Sequence, residues 1–233
     1  MIRVKEIFYS IQGEGVYQGI STVFIRLAGC NLAQITPCQY CDTSYAWNPE
    51  DGVDMKIGDI VGEVSKLSPY YSSWVCITGG EPLWQEEELE QLVRELKKGG
   101  YKTTIETNGS FRVPRWYTLV DSWNADIKCP SSGVCGVSKE EWFRTRISDQ
   151  VKFVVGNKED LEFAGKLIQK HKIDSPIILI SPITGFLIDK KKKTIEEYWR
   201  RDWLQECVEF CKENRCHFSL QWQKVIWGDQ KGV

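Results

Sequence analysis

Apolar and β-branched residues come in short runs that end at Gly, Pro, Asn or Ser, and longer stretches with helical spacing lie between them. The runs predict strands at Thr22–Ala28, Trp74–Thr78, Lys102–Glu106, Ser122–Lys128, Gln150–Val155 and Pro176–Ser181. Leu89, Leu92, Val93 and Leu96 repeat at i, i+3, i+4 and i+7, the apolar stripe of a helix that Gly99-Gly100 ends. Ser138 with Glu141, and Thr194 with Glu197, have capping-box spacing and predict two further helix starts. Alternating strands and helices require a mostly parallel sheet with right-handed crossovers, an α/β class. Functional residues then belong in the loops at the C-terminal ends of the strands.

Composition narrows the partners. The 233 residues suit one domain spanning 1–233 rather than two small ones. Lys+Arg number 30 against 32 Asp+Glu, a balance with no footprint for nucleic acid or an acidic membrane. The run Lys190–Lys193 reads as a solvated loop. The opening MIRVKEIFYS resembles neither a signal peptide nor a span, and no apolar run approaches the roughly 18 residues a membrane helix needs. A cytoplasmic location is the expectation. The ten tryptophans read as core and interface rather than as a stacking platform for single strands.

Nine cysteines change the picture, because an odd number does not close a disulfide framework. In a reducing compartment, clustered cysteines point to metal or catalysis. The first predicted strand runs into Gly29-Cys30, and after seven intervening residues Cys38 and Cys41 form a C-x-x-C pair. The two histidines, His171 and His217, are far away in sequence. A closed zinc site wants four Cys or His ligands, whereas three thiolates leave one position open, as an iron–sulfur cluster needs if a small molecule is to bind it. A zinc knuckle borrowing a distant cysteine, a thioredoxin-like redox pair and an unligated trio remain the alternatives. Cys76, Cys135, Cys207, Cys211 and Cys216 read as structural, although Cys207 and Cys211 have the i, i+4 spacing of a metal pair.

One strand–helix interval downstream stands Thr78-Gly79-Gly80-Glu81-Pro82. Two glycines at a strand end let a ligand approach the backbone, and Glu81 offers a carboxylate to a ligand ammonium. The cysteine trio followed by this turn resembles the radical S-adenosylmethionine superfamily. Within it, the chain is similar to 7-carboxy-7-deazaguanine synthases at Ile11-Gln12-Gly13-Glu14-Gly15, at Arg26 in Phe24–Cys30 and at Cys41-Asp42-Thr43. Glu106–Gly109, Asp126–Gly133, and Ser219–Gln221 followed by Lys224 extend the likeness over nearly the whole chain.

The resemblance implies a partial parallel (β/α) barrel and conversion of 6-carboxy-5,6,7,8-tetrahydropterin to 7-carboxy-7-deazaguanine with loss of ammonia. It implies a 4Fe-4S cluster on Cys30, Cys38 and Cys41, and magnesium at Thr43. S-adenosylmethionine is implied at Tyr40, Cys41, Asp42, Gly80, Asp126, Ile127, Lys128, Ile180, Ser181, Pro182 and Ile183. Substrate is implied at Ile11, Gln12, Gly13, Glu14, Arg26 and Thr78. A flavodoxin- or ferredoxin-type electron donor and a homodimer come with it. Taken alone, Arg26 reads as a salt-bridged strand residue, Gln12 as a turn residue and Thr43 as a helix cap. A glycyl-radical activase and a zinc-binding adaptor are the rival readings. Two features depart from the family. The seven residues between Cys30 and Cys38 match neither the usual C-x3-C-x2-C nor the much longer first gap of other members, and Gln223 stands where many members have histidine.

Overall fold

Strand β1 (Ile2–Ile11) runs antiparallel to β2 (Ser21–Leu27), and the short β3 (Val53–Met55) pairs along its other edge. From β2 onward the sheet grows in one direction. β4 (Trp74–Gly79), β5 (Lys102–Thr107), β6 (Ser122–Ile127), β7 (Gln150–Val155), β8 (Ile177–Pro182) and β9 (His217–Phe218) each lie parallel to the one before. The order is β3-β1-β2-β4-β5-β6-β7-β8-β9. Our computed structural model describes residues 1–68, 73–183, 201–228 and 230–233, so the Thr194–Glu197 capping box and Lys190–Lys193 lie outside the described residues.

Parallel neighbours taken in chain order, with crossovers of one hand, put all connecting helices on one face and curl the sheet around the other. Helices α1 (Ile57–Leu67), α2 (Glu86–Lys98), α3 (Lys158–His171) and α4 (Arg201–Asn214) precede β4, β5, β8 and β9. A short α5 (Trp222–Trp227) follows the last strand. The helix-facing side is apolar. Val23, Ile25, Val75, Ile77, Ile105, Trp123 and Ala125 pack with Ile60 and Val64 of α1 and the Leu89, Leu92, Val93, Leu96 stripe of α2. Ile127, Val151, Phe153 and Ile180 pack with Leu161 and Ala164 of α3 and Trp203, Cys207 and Cys211 of α4. Each fully buried Leu or Ile here contributes about 1.5–3 kcal/mol. Glu86–Glu88 in the first turn of α2 and Lys97-Lys98 in its last complement the helix dipole, and Asn157 caps α3 by accepting from Asp160 N at 3.1 Å.

Two sequence expectations change. Ser138 does not start an α-helix. Glu140–Arg144 forms a 3-10 turn, Ser138 makes no cap, and Lys139 N donates instead to Gly109 O at 2.9 Å. The hydrophobic pattern also gave no strand at β1, because a bulge between Val4 and Glu6 breaks the period-two alternation there.

Candidate active site

Strand residues alternate faces, so the positions between the core residues point into the concave side. Ladder pairing sets Arg26 beside Thr78, Glu106 beside Asn124, and Asp126 beside Lys152. Five neighbouring strands thus present one continuous polar wall. It lines a cavity of about 640 Å³, closed on one side by the loop that carries Cys30, Cys38 and Cys41, with Gln221, Gln223, Lys224 and Lys231 at another.

Cys30 follows the end of β2, where Gly29 N and Cys30 N donate to Ala46 O and Trp47 O, both at 2.9 Å. The seven-residue gap is a turn closed by Ile35 N and Thr36 N on Leu32 O; Leu32 is buried and Gln34–Pro37 are exposed. Cys38 and Cys41 are joined by the Cys41 N to Cys38 O bond at 3.2 Å. Trp47 Nε1 donates to Cys41 Sγ at 3.2 Å, and Asn108 Nδ2 approaches Cys30 Sγ at 4.0 Å. Among the described residues no three His, Cys, Asp or Glu side chains converge as a single ion requires. The three thiols instead face one cavity, which suits a body with several irons. Burial pushes the Cys30 and Cys41 thiols up, and Cys38 up to about 11, while the Lys128 ammonium pulls all three down. Bound iron, not the apoprotein, would therefore ionise them.

Cys129 is fully buried in the core, its Sγ on Ile127 O at 3.7 Å, and does not line the cavity. Cys207 and Cys211 are core residues of α4, Cys76 is buried in β4, Cys216 is partly buried, and Cys135 is exposed.

The glycines after β4 have a different reason from the one expected. A Cβ on Gly79 or Gly80 would collide with the backbone of Leu27 or Gly29, because Gly80 N and Glu81 N continue the pairing to Leu27 O and Gly29 O. Both glycines still line the cavity. Glu81 does not. Its carboxylate is fully buried and accepts from Leu83 N at 3.0 Å, Thr107 Oγ1 at 2.8 Å and Asn108 N at 2.6 Å. It ties the turn after β4 to the end of β5.

Arg26 is a largely buried ion pair. Its Nε donates to Glu6 Oε1 at 2.7 Å, Tyr45 Oη donates to the same oxygen at 2.8 Å, and the guanidinium lies 5.7 Å from the Phe8 and Tyr45 ring centres. The bulge in β1 brings Glu6 opposite Arg26. Nη1 and Nη2 make no hydrogen bond among the described residues, so the bidentate fork remains available. Gln12 is buried; its Nε2 donates to Glu106 Oε1 at 3.3 Å and its Oε1 accepts from Glu14 N at 3.1 Å. Thr78 Oγ1 donates to Glu106 Oε2 at 2.8 Å. Glu14 accepts from Lys152 at 2.7 Å, Gln221 at 3.0 Å and Gln223 at 2.6 Å. Gly13 is small because a Cβ would strike Gln223, and Ile11 also lines the wall.

Thr43 precedes a 3-10 turn but does not cap it. Its Oγ1 donates to Asp42 Oδ1 at 2.9 Å. Against the upward push of burial, Lys224, Thr43 and Arg26 hold the Asp42 carboxyl below its usual range. Lys128 pairs with Asp126 at 2.8 Å and lies 6.0 Å from the Tyr40 ring centre. Of the segments expected to hold S-adenosylmethionine, Tyr40, Cys41, Asp42, Gly80, Asp126, Lys128 and Ile183 line the cavity. The Ile127 and Ile180 side chains belong to the core, Ser181 and Pro182 do not line the cavity, and Ser181 Oγ is buried without a hydrogen-bond partner among the described residues.

Tyr40 Oη, Asn124 Oδ1, Asp126 Oδ1, Gln221 Oε1 and Gln223 Oε1 are buried without a hydrogen-bond partner among the described residues, and all five residues line the cavity. Glu6, Tyr45, Asn124, Lys152 and Lys231 received no role from the sequence. Asn124 and Lys152 were accessible, as alternate positions of two predicted strands.

Residues 24–122 match the profile of the Radical SAM superfamily. The chain is 42% identical over 184 residues to the 7-carboxy-7-deazaguanine synthase of Methanospirillum hungatei JF-1, covering 79% of this chain and 74% of that one. It is 36% identical over 241 residues to the 7-carboxy-7-deazaguanine synthase of Koribacter versatilis, covering both chains entirely. The crystal structure of QueE from Escherichia coli has the same fold, with a TM-score of 0.72 over 95% of this chain and 94% of that one at 24% identity.

Proposed function

Because this chain belongs to the 7-carboxy-7-deazaguanine synthase family of radical S-adenosylmethionine enzymes, we propose that its cavity binds 6-carboxy-5,6,7,8-tetrahydropterin and contracts the ring to 7-carboxy-7-deazaguanine, releasing ammonia. The observation that carries the residue roles is the polar wall itself, Arg26 to Lys152 across five strands, facing the three-cysteine loop. Cys30, Cys38 and Cys41 fit a 4Fe-4S cluster as donors sharing one cavity, with Trp47 donating to one sulfur. When bound, the cluster and S-adenosylmethionine supply the radical chemistry that starts the reaction.

The protein binds and orients. Arg26 offers its Nη fork to the pterin carboxylate, with Nε anchored on Glu6. Ile11, Gln12, Gly13, Glu14 and Thr78 border the pterin ring, and Gln12 and Thr78 converge on Glu106. Tyr40, Cys41, Asp42, Gly80 and the 126–128 and 180–183 segments border S-adenosylmethionine. Unpartnered acceptors on Asn124, Gln221 and Gln223 suit ligand N–H and O–H groups. Thr43 beside Asp42 supplies oxygen ligands for magnesium, an ion that keeps much of its shell from water and substrate. We take the chain to act as one domain and a homodimer in the cytoplasm, reduced by a flavodoxin or ferredoxin.

The test is anaerobic reconstitution followed by assay with S-adenosylmethionine, a reductant and the carboxypterin. About four irons per chain and pterin-dependent formation of the deazaguanine are expected. Stoichiometric zinc with no cleavage of S-adenosylmethionine would reject the reading.

A further inference from the structure

Among the described residues five cations line the cavity, and four are matched. Arg26 pairs with Glu6, Lys128 with Asp126, Lys152 with Glu14 and Lys224 with Asp42. Lys231 meets no carboxylate among the described residues. Its ammonium lies 4.1 Å from the centre of the Tyr45 ring. The same ring has the Arg26 guanidinium 5.7 Å from its centre, and its hydroxyl donates to Glu6. Tyr45 therefore has two cations around its ring, at 5.7 and 4.1 Å from its centre, and among the described residues only Arg26 has a counter-charge.

We propose that Lys231 is a second carboxylate-binding residue, presented on Tyr45 so that an anionic group of the ligand lies between its ammonium and the free fork of Arg26. The assignment rests on the substrate reading above and deepens it. Arg26 supplies a planar, directional contact, and Lys231 supplies a point charge on a flexible stem. Like charges gathered around one aromatic ring repel unless an anion enters between them, and Glu6 Oε1 already accepts from both Arg26 and Tyr45, so its charge is matched by the Arg26 pair. Lys231 is exposed at the cavity mouth, so its effect is screened by salt where that of Arg26 is not.

The experiment is calorimetric titration of the anaerobically reconstituted enzyme, with S-adenosylmethionine present and no reductant. The two probes are the 6-carboxytetrahydropterin and tetrahydropterin without the carboxylate. Lys231→Met is expected to weaken the carboxylated ligand about fivefold at low salt and less at high salt, to leave the other unchanged, and to be rescued by Lys231→Arg. Unchanged binding of both ligands overturns the proposal, as does equal weakening of both. An unmodified enzyme that binds S-adenosylmethionine but neither pterin rejects the substrate reading itself, and this assignment with it.

Discussion

Gln223 donates through Nε2 to Glu14 Oε1 at 2.6 Å, and its own carbonyl oxygen has no hydrogen-bond partner among the described residues. An uncharged amide thus holds a carboxylate that Lys152 and Gln221 also hold. Gln223→Glu would put two carboxylates in contact, and one must then keep a proton. Substrate affinity of this variant should fall as pH rises from about 6 to about 8.5 while the unmodified enzyme shows no such loss. Dissociation constants measured across that range decide it, and parallel profiles would show that Glu14 and Gln223 do not act as a unit.

The cysteine ligands make a second prediction. Cys30→Ala, Cys38→Ala and Cys41→Ala should each lose the cluster's iron and its visible absorption. Cys129→Ala should keep both and lose about 1–2 kcal/mol of stability, because its thiol fills core space. Iron retained without Cys30 and lost without Cys129 would overturn the ligand set. Cys30 can remain in place despite the long gap because β2 fixes it, and lengthening a loop by a few residues adds only about a few tenths of a kcal/mol.

Much of this was legible in the chain. Six parallel strands stand within a residue or so of where β-branched runs and turn residues put them, and the cysteine loop and Gly-Gly-Glu turn follow two of them. The rest depended on geometry that sequence spacing does not carry. Glu6 reaches Arg26 only through the bulge in β1, and that bulge hides the strand's alternation. Glu81 has the composition of a ligand contact, yet three donors from the ends of β4 and β5 claim it. Lys231 lies more than 180 residues from Tyr45 in sequence, and local pattern cannot connect them.

Arg26 gives a third expectation. Arg26→Lys removes the fork and leaves an ammonium that Glu6 can still neutralise. Affinity for the carboxypterin should fall by about 2–3 kcal/mol, with cluster content and binding of S-adenosylmethionine unchanged. Equal turnover of pterins with and without the carboxylate would show that Arg26 is only a buried ion pair.

Thr43 carries the magnesium reading, and its hydroxyl donates to Asp42 rather than capping the turn that follows. Chelation should lower turnover more than it lowers S-adenosylmethionine binding. Thr43→Ala should blunt the response to added magnesium without changing the melting temperature, since no cap is lost. An enzyme indifferent to chelator and substitution alike would remove magnesium from the site.

Glu81 links the site to stability through pH. Burial pushes its carboxyl from 4.5 up to about 7, although Asn108 N, Leu83 N and Thr107 Oγ1 all donate to it. A carboxyl that holds its proton more tightly in the folded state than in the unfolded chain favours folding most below the unfolded value. That contribution is lost as pH rises through the folded value. The displacement corresponds to about 3 kcal/mol at most, lost between about pH 4.5 and about pH 7. Glu81→Gln cannot titrate, and it sets an amide N–H against at least one of the three donors, so it should melt lower at about pH 5. Its melting temperature should then decline less between about pH 5 and about pH 8 than that of the unmodified protein, both measured anaerobically in the same iron-loaded state. Parallel curves would mean that Glu81 stays ionised throughout, held by its three hydrogen bonds against the cost of burial.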